Sequence, residues 1–477
     1  MEMLLKHSVY YLLARGLPGV FNLLAIALYT RMLSTDEYGR YALVIAGVGF
    51  FNMILFQWLR LSLLRFRPEY QENHQPLLST ILAAFVTISI FTGVAGLLLA
   101  IFWPDSSWQG LILLAVPLLW ANAWFELNLE LFRSKMQPIR YGQASWLKSV
   151  SALVVGVFLV LRGLGTYGPL IGLFFGFILV GLCFAPSEWR GIQPRVLRPV
   201  LSQVTRYGLP LTATFALGFV IQSSDRFLIA YYMGEGYTGS YVAGYDFAWN
   251  SIVLLMIIVN LSAYPLAISS LEKNGILAAQ MQLVRNSRLQ LIVSIPATVG
   301  LILLAPQIGN VIFGADFRED AIVLLPLISV AAFIHGIRSY HFDLAFQMGK
   351  HTVGQIWIYA PAALINLILN IIWIPRFGIL GAAWSTLVAY CLALFLSVVI
   401  GKRFFQVRLS WQGMGEAVVA VSFMALALSL IPELHGVLGL LVSVAIGMAV
   451  YFTVIGLLYY LQVKGYFLTL EEKYGWK

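Results

Sequence analysis

The stretch that decides the fold is YGLPLTATFALGFVIQSSDRFLIAYYMGEGYTGSY, residues 207–241. It begins with a Gly-Leu-Pro element at 208–210, continues as an apolar run, and ends after a polar gap with a Gly-x-Tyr element at 239–241. The same two elements occur in the same order near the N-terminus, at 16–18 and 39–41. The paired elements are 192 and 200 positions apart, which is nearly half the chain. This repetition predicts two helical hairpins of one design, the facing walls of one cavity in a duplicated membrane bundle.

Most of the chain is too apolar for water. Hydrophobic residues make up 60% of the sequence and charged residues 11%, and the mean hydropathy is +0.84. Backbone groups in hydrocarbon must be hydrogen-bonded within their own segment, so the long apolar runs predict transmembrane helices. The runs lack the period-two alternation of a membrane barrel. The sequence therefore predicts an all-α, polytopic membrane protein.

At roughly 20 residues per span, the apolar runs predict about fourteen transmembrane helices. The first six and the next six form two pseudo-symmetric bundles. An even number of spans in each half gives both halves the same orientation, so the axis relating them runs along the membrane normal. The predicted domains are an N-terminal six-helix bundle at 1–185, a cytoplasmic connector at 186–206, a second six-helix bundle at 207–401, and two extra helices with a cytoplasmic tail at 402–477.

The positive charge is distributed as the positive-inside rule requires. With the N-terminus inside, the predicted inside segments carry 21 lysines and arginines, and the predicted outside loops carry five. This bias predicts that both termini face the cytoplasm. It also explains the net charge of +9 without nucleic acid as a partner. We expect a multi-pass protein of the cell inner membrane.

The sequence has no motif of an established catalytic site. It lacks a phosphate-binding loop, a Gly-x-Ser-x-Gly elbow and a His-Glu-x-x-His pair. Its two cysteines, Cys183 and Cys391, lie in apolar runs without metal or redox spacing. No predicted loop is long enough for a folded soluble domain. We therefore predict no cofactor, no metal site and no enzymatic activity.

Arginines at membrane depth are the informative residues, because a charge there needs a partner or a watery cavity. Arg15, Arg226 and Arg338 lie within predicted spans and stay charged at any accessible pH. Arg60 is a further candidate, with the alternative that it is a positive-inside flank. A water-filled cavity with cationic walls suits an anionic cargo such as a diphosphate, since guanidinium groups bind phosphate oxygens bidentately.

Carboxylates in the predicted spans are candidates for coupling and gating. Asp225 adjoins Arg226, so we expect it to orient the guanidinium or to gate a closed state, with a purely structural pair as the alternative. Asp246 and Glu126 are the first and second candidates for carrying a coupling proton, because a poorly hydrated carboxylate takes up a proton more readily. Without a nucleotide motif, transport must use a proton or sodium gradient, the membrane potential, or removal of the cargo.

Stretches around these residues resemble a known family. RMLSTDEYGRY at 31–41 ends the first hairpin, DRFLI at 225–229 repeats it, and WIPRFGILGAA at 373–383 forms a later turn. They resemble the polysaccharide transporter, O-antigen flippase-like, branch of the multidrug/oligosaccharidyl-lipid/polysaccharide exporter superfamily. The resemblance implies a V-shaped pair of six-helix bundles that alternates between inward-open and outward-open states. It implies a cargo of undecaprenyl-diphosphate-linked oligosaccharide, such as a lipopolysaccharide O-antigen unit, moved from the cytoplasmic to the periplasmic leaflet.

The same resemblance implies site residues and partners. Arginines lining the central cavity of such flippases are thought to hold the diphosphate, and Arg15, Arg31 and Arg226 are the carry-overs on the first and seventh helices. The implied partners are the lipid-linked oligosaccharide, membrane lipids, and a polysaccharide polymerase with chain-length proteins.

Two alternatives stay open at this point. A multidrug or small-molecule antiporter of the same superfamily would be expected to have a cavity dominated by carboxylates and aromatic residues. A polysaccharide polymerase or ligase would be expected to carry a large periplasmic loop, which this sequence lacks.

Overall fold

The computed structural model describes residues 2–70, 72–184, 189–432 and 434–474, and within them it omits the side chains of 2–15, 17, 352 and 463–474. Over these ranges the chain is helical and contains no strand. Eleven of the described helices are long and apolar enough to cross a membrane. The prediction of an all-α, polytopic membrane fold is confirmed, and the total of fourteen spans stays a prediction.

The first half consists of long helices joined by short turns. They are α1 (Glu2–Met32), α2 (Thr35–Phe66), α3 (Gln75–Phe102), α4 (Ser106–Ser134), α5 (Pro138–Leu161) and α6 (Tyr167–Phe184). A capping box starts α2: the Ser34 hydroxyl accepts from the Glu37 N–H, and the Glu37 carboxylate accepts from the Ser34 N–H. This box fixes the turn of the first predicted hairpin.

The second half has longer and more irregular helices. They are α7 (Arg198–Met233), α8 (Glu235–Leu303), α9 (Ala305–Ile312), α10 (Arg318–Ile337), α11 (Leu344–Met348) and α12 (Ile356–Gly401). Helices α13 (Trp411–Leu430) and α14 (Gly436–Tyr474) follow. Because α7 begins at Arg198, the end of the predicted connector 186–206 is helical, and its residues 186–188 lie outside the described ranges.

Helices α8 and α12 each consist of two arms joined at a glycine. Gly275 has a φ of 80° and Gly378 a φ of 62°, conformations that residues with a side chain rarely adopt. Beyond the Gly275 turn, the Asn286 amide donates to the Ala263 carbonyl at 2.8 Å, which shows that the α8 arms run antiparallel. The length of 69 residues in α8 is therefore that of a hairpin and not of one rod.

The predicted tenth span, 320–348, is interrupted where its polar residues begin. Helix α10 ends at Ile337, a π-helical turn covers Arg338–Phe342, and α11 resumes at Leu344. A π-helical turn inside an α-helix is rare and is frequently found at functional sites. Here it allows the Arg338 side chain to turn into the protein interior.

The two halves meet along α2. Helix α2 packs against both α7 and α8, whereas α1 packs against α5 in its own half and against α8. Tyr38 and Ala42 of α2 belong to one buried apolar core with Tyr241 and Tyr245 of α8. This junction positions the candidate site.

The two extra helices are attached to the second arm of α8. Arg288 donates to both carboxylate oxygens of Glu416 on α13, at 2.8 Å each. The Glu416 carboxylate also accepts from the Gln412 and Gln462 amides. Tyr451 of α14 donates to the Ile292 carbonyl at 2.8 Å. Polar contacts thus hold α13 and α14 against the second half.

Candidate functional site

The repeated Gly-x-Tyr elements meet at one end of the junction, which we call the Gly39 end. A Cβ on Gly39 would overlap the carbonyl oxygen of Glu235, and a Cβ on Gly239 would overlap that of Thr35. Each added Cβ would also lie near the other glycine's amide nitrogen, at 3.1 Å and 2.9 Å respectively. Helices α2 and α8 therefore cross with their backbones in contact.

Side chains close the Gly39 end around this crossing. The Glu235 carboxylate pairs with Arg40 and accepts from the Trp108 indole N–H at 2.7 Å. Arg31, predicted to bind the cargo, is exposed and donates to the carbonyl oxygen of Val311. In this conformation Arg31 therefore contributes to the closure of the Gly39 end.

Arg226 lies in the junction, two turns from the end of α7. Its guanidinium donates to Asp246 of α8 at 2.5 Å and lies 5.6 Å from the centre of the Tyr245 ring. Arg226 is only 8% exposed, whereas the Asp246 side chain is 28% exposed. The structure thus brings together two predicted site residues from neighbouring helices. A buried guanidinium beside a partly open carboxylate is a place where another anion can exchange with that carboxylate.

Asp225 has a different environment from that of its neighbour Arg226. Its carboxylate accepts from the Tyr241 hydroxyl at 2.5 Å and from the Arg226 backbone N–H at 2.9 Å. Consecutive residues of a helix face different directions, so adjacency in sequence does not pair their side chains. The predicted contact between the Asp225 carboxylate and the Arg226 guanidinium is replaced by the contact from Asp246.

Buried polar residues are linked to Asp225 through Tyr241 and through the neighbouring Ser224. We call this set the oxygen cluster: Asp225, Tyr241, Asn366, Asn370 and Thr386. The Tyr241 hydroxyl lies beside that of Thr386, and Asn366 Oδ1 accepts from Ser224 at 3.1 Å and from Asn370 at 3.2 Å. Asn370 Oδ1 has no hydrogen-bond partner among the described residues. Carboxylate, amide and hydroxyl oxygens are the ligands that hard cations prefer. This cluster is therefore where the site could hold a cation.

Arg60 and Glu126 form an ion pair within the first half. The Arg60 guanidinium also donates to Gln57, and the Glu126 carboxylate accepts from the Asn52 amide at 3.1 Å. Arg60 is buried, while 36% of the Glu126 side chain is exposed. A predicted cargo-binding cation and a predicted coupling carboxylate are thus partners, and the charge on Glu126 is already balanced.

Arg338 is fully buried on the π-helical turn of the second half. It donates to the Tyr359 hydroxyl at 3.0 Å and lies 3.6 Å from the Asp343 carboxylate. Its guanidinium carbon lies 4.5 Å from the centre of the Tyr359 ring. Arg338 therefore lies behind Tyr359 and supports it. The side chain of Arg15, the remaining predicted arginine, lies outside the described residues.

A cavity of about 410 Å³ opens between α2 of the first half and α7, α10 and α12 of the second, and we call it the junction cavity. Its polar and aromatic lining includes Gln222, His335, Gln347, Gln355, Tyr359 and Tyr390. Gln222 precedes Arg226 by one helical turn, a rise of about 6 Å. The cavity and the Arg226–Asp246 pair are therefore neighbours. The residues predicted as the site include none of these six, because that prediction was made from charged side chains and none of the six carries a fixed charge.

The family model and one matched relative name polysaccharide or glycan biosynthesis. The sequence model of a family described as "Polysaccharide biosynthesis protein" matches residues 28–322. The "Probable low-salt glycan biosynthesis flippase Agl15" of Haloferax volcanii is 26% identical over 230 residues, which are 46% of this chain and 48% of that protein. An uncharacterized membrane protein of Methanocaldococcus jannaschii is 22% identical over 193 residues, 40% and 38% of the two lengths. The chain spans less than half the length of the curated relatives it matches.

Solved structures share the fold over nearly the whole chain. The structure titled "Lipid II flippase MurJ, inward closed conformation" has a TM-score of 0.79 at 16% identity and covers 95% of this chain and 100% of its own. An inward-facing multidrug resistance MATE family transporter of the MOP superfamily has a TM-score of 0.63 at 14% identity, with 83% and 97% covered. At these identities the likeness concerns the fold, and it confirms the predicted MATE-like architecture.

Proposed function

Because the chain belongs to the polysaccharide biosynthesis protein family, we propose that it is a flippase that moves a lipid-linked glycan across a membrane by alternating access. The proposed cargo is an undecaprenyl-diphosphate-linked oligosaccharide, an O-antigen or related exopolysaccharide repeat unit. It moves from the cytoplasmic to the periplasmic leaflet of the inner membrane, and no covalent bond changes. A polysaccharide polymerase and chain-length proteins are the partners expected to act on the product.

The Arg226–Asp246 pair is the observation that carries this proposal. Arg226 is 8% exposed, so its charge requires a counterion, which Asp246 supplies at 2.5 Å. The oxygens of a diphosphate fit the planar donors of a guanidinium bidentately. An arriving diphosphate exchanges with Asp246 and never leaves the guanidinium unpaired.

The exchange at Arg226 acts on the closure of the Gly39 end. Asp246 belongs to the same arm of α8 as Gly239 and Glu235, which form the crossing and the Arg40 pair. Releasing Asp246 from Arg226 removes a bond that holds this arm against α7. Binding of the diphosphate therefore loosens the arm that closes the Gly39 end, which is what alternating access requires.

An ion gradient is the proposed energy source, with a proton or a sodium ion bound at the oxygen cluster. Asp246 and Glu126, the first candidates for coupling, are each paired with an arginine. The Asp225 carboxylate instead accepts from the Tyr241 hydroxyl and from the Arg226 backbone N–H. Asp225 is also the residue next to Arg226 in α7. A cation at Asp225 neutralises a negative charge close to the guanidinium that receives the diphosphate, so both ligands act on the same part of α7.

The lining of the junction cavity supports this function over the drug antiporter. A cavity for cationic drugs is expected to present carboxylates, and no aspartate or glutamate is among its lining residues. The proposed cargo instead needs a cation near a neutral, hydrogen-bonding cavity, as Arg226 and Gln222 provide.

The test is flipping of a fluorescent undecaprenyl-diphosphate disaccharide by protein reconstituted in liposomes, counted per folded molecule. Arg226→Ala should weaken binding by about one to two orders of magnitude, because a hydrogen bond to a charged group is worth ~1.5–3 kcal/mol. Arg226→Lys should recover part of the loss, since it keeps the charge but not the planar fork. Arg162→Ala removes an exposed arginine that lies over the Phe158 ring and serves as the matched control. Normal flipping by a stable Arg226→Ala protein would end the assignment.

A further inference from the structure

The junction cavity is unusual in being polar without being charged. Fourteen residues line it, and none is an aspartate, glutamate, lysine or arginine. Three glutamines, three tyrosines, one histidine and one threonine supply the polar groups among apolar neighbours. Arg338, which donates to Tyr359 of this wall, is fully buried and is balanced by Asp343 at 3.6 Å. A ligand in the cavity therefore meets hydrogen-bonding groups and aromatic rings, not ions.

The three glutamine amides come from separate parts of the second half. Gln222 lies on α7, Gln347 on α11, and Gln355 just before α12. Within the described part of the chain, none of the three side chains has a hydrogen-bond partner. Each amide offers two donors and an acceptor, which is the combination that adjacent hydroxyl groups of a sugar ring satisfy.

Aromatic groups on the same wall are held in fixed orientations. The Tyr359 oxygen accepts from Arg338 at 3.0 Å, which fixes the position of the ring. The rings of Tyr390 and His335 meet edge to face with centres 5.0 Å apart. His335 Nδ1 is buried and has no hydrogen-bond partner among the described residues. Fixed rings beside unpaired donors and acceptors suit a ligand with an apolar face and a polar rim.

We propose that the junction cavity binds the sugar attached directly to the diphosphate, and that this sugar is uncharged. The proposal rests on the proposed function, because it takes the diphosphate to lie at Arg226. Gln222 is one helical turn from Arg226, about 6 Å along the axis, so a sugar bonded to that diphosphate reaches the cavity. A sugar that carries a carboxylate would lose its hydration in the cavity without gaining a cationic partner, which disfavours its binding. Arg338 acts as a positioning residue for Tyr359.

The experiment measures the binding of three lipids to purified full-length protein in nanodiscs. The probes are undecaprenyl diphosphate, the same lipid carrying N-acetylglucosamine, and the same lipid carrying glucuronic acid. Wild-type protein should bind the N-acetylglucosamine lipid about tenfold or more tighter than the sugar-free lipid, as expected for several neutral hydrogen bonds. It should bind the glucuronic acid lipid no tighter than the sugar-free lipid.

Variants separate the sugar site from the diphosphate site. Gln222→Leu and Gln355→Leu should each weaken binding of the N-acetylglucosamine lipid by about two- to tenfold and leave the sugar-free lipid unaffected. Gln222→Asn, which keeps a shorter amide, provides a second variant if the leucine protein does not fold. Gln143→Leu replaces an exposed glutamine of α5 outside the cavity and is the matched control. Arg226→Ala should weaken the binding of all three lipids.

Three results distinguish failure of this inference from failure of the proposed function. Equal affinity of wild-type protein for the sugar-free and N-acetylglucosamine lipids would overturn the sugar site while leaving the diphosphate site in place. Preference for the glucuronic acid lipid would also overturn it. Binding of none of the three lipids would overturn the proposed function itself.

Discussion

Gly39 and Gly239, which are 200 positions apart in the sequence, lie against each other in the fold. A Cβ on Gly39 would lie 3.1 Å from the amide nitrogen of Gly239, and a Cβ on Gly239 would lie 2.9 Å from that of Gly39. The contact is reciprocal, as a two-fold axis between repeats requires. The residues that reveal the repeat in the sequence are thus the residues that join the two halves.

A substitution that adds a side chain to a glycine at this crossing should open the Gly39 end. Gly39→Ala forces α2 away from Glu235, because its Cβ would overlap the Glu235 carbonyl oxygen. Ala42→Cys, 2% exposed and one turn further along α2, reports the opening. Its reaction with an impermeant maleimide should accelerate at least about tenfold, which corresponds to ~1.4 kcal/mol of population shift.

The exposed native cysteines, Cys183 and Cys391, must first be replaced by serine in this test. Gly47→Ala in the same helix is the control, since its added Cβ meets no atom within 4 Å. Equal labelling rates for the Gly39 and Gly47 variants would contradict a closure that depends on the crossing.

Removing the competitor of the diphosphate should strengthen its binding. Asp246→Asn leaves the Arg226 guanidinium without its carboxylate partner, which now bonds at 2.5 Å. We expect the diphosphate to bind about tenfold tighter, because it no longer displaces a charged partner, and the unliganded protein to unfold at a lower temperature. Titration with undecaprenyl diphosphate and thermal unfolding of the same sample measure both effects. Unchanged affinity in a folded Asp246→Asn protein would contradict exchange at Arg226.

Sodium should stabilise the protein through the oxygen cluster. At about 100 times its dissociation constant, a bound ion adds ~2.7 kcal/mol to the free energy of unfolding. Wild-type protein should therefore melt a few degrees higher in sodium chloride than in choline chloride. Asp225→Asn should remove the difference, and Glu126→Gln, outside the cluster, should retain it. A sodium effect that persists in the Asp225→Asn protein would exclude this cluster, whereas equal melting of wild-type protein in both salts would favour a proton.

The polar contacts of Glu416 should decide whether α13 and α14 stay attached. Glu416→Ala leaves Arg288 and the Gln412 and Gln462 amides without their acceptor. Because Arg288 is 32% exposed, we expect a loss of about 1–3 kcal/mol and not the full cost of a buried pair. Thermal unfolding in detergent measures it. Glu69→Ala, which breaks an exposed pair with Arg65, is the control and should cost at most about 1 kcal/mol; equal shifts would refute an anchoring role.

Cysteine labelling can test the membrane orientation that the loop charges predict. Asp105 caps α4 by accepting from the Ser107 N–H at 2.8 Å, and these bonds lower its pKa, so we leave Asp105 intact. Ser106→Cys and Gln193→Cys are exposed positions at opposite ends of the bundle. In right-side-out vesicles, the first should react with an impermeant reagent and the second should not. Reaction of both cysteines from one side would refute the predicted topology.

The sequence predicts the fold far better than it predicts the pairs within the site. In lipid, the backbone groups of a long apolar run must be hydrogen-bonded within the run, and a helix does this. The all-helical fold therefore follows from composition. The partner of a charge depends on how helices from distant segments are rotated and packed. Asp225 adjoins Arg226 in the sequence, but consecutive side chains of a helix point in different directions. The Arg226 guanidinium therefore bonds to Asp246, and Asp225 bonds to the Arg226 backbone N–H.

The same reason explains why the sequence did not reveal the partner of Glu126. Its partner Arg60 lies on another helix, and no pattern within α4 indicates that the two charges cancel. The glutamines of the junction cavity were missed because a neutral amide needs no charged partner, so nothing in the sequence sets these three apart from other glutamines. Their significance follows from convergence on one cavity, which requires the packing of α7, α11 and α12.

Because α8 is a long hairpin that turns at Gly275, a small tilt at one of its ends produces a large displacement at the other. Its first arm, 235–274, is about 60 Å long at 1.5 Å per residue, roughly twice the hydrocarbon thickness of a bilayer. The arm carries the Gly239 crossing at one end and the free tip of the hairpin at the other. A tilt of about 10° at the crossing therefore displaces the tip by about 10 Å, a distance that spectroscopic rulers resolve. The distance between one label beside Gly275 and a second label on the first half would thus report, from the far side of the membrane, whether the Gly39 end is shut.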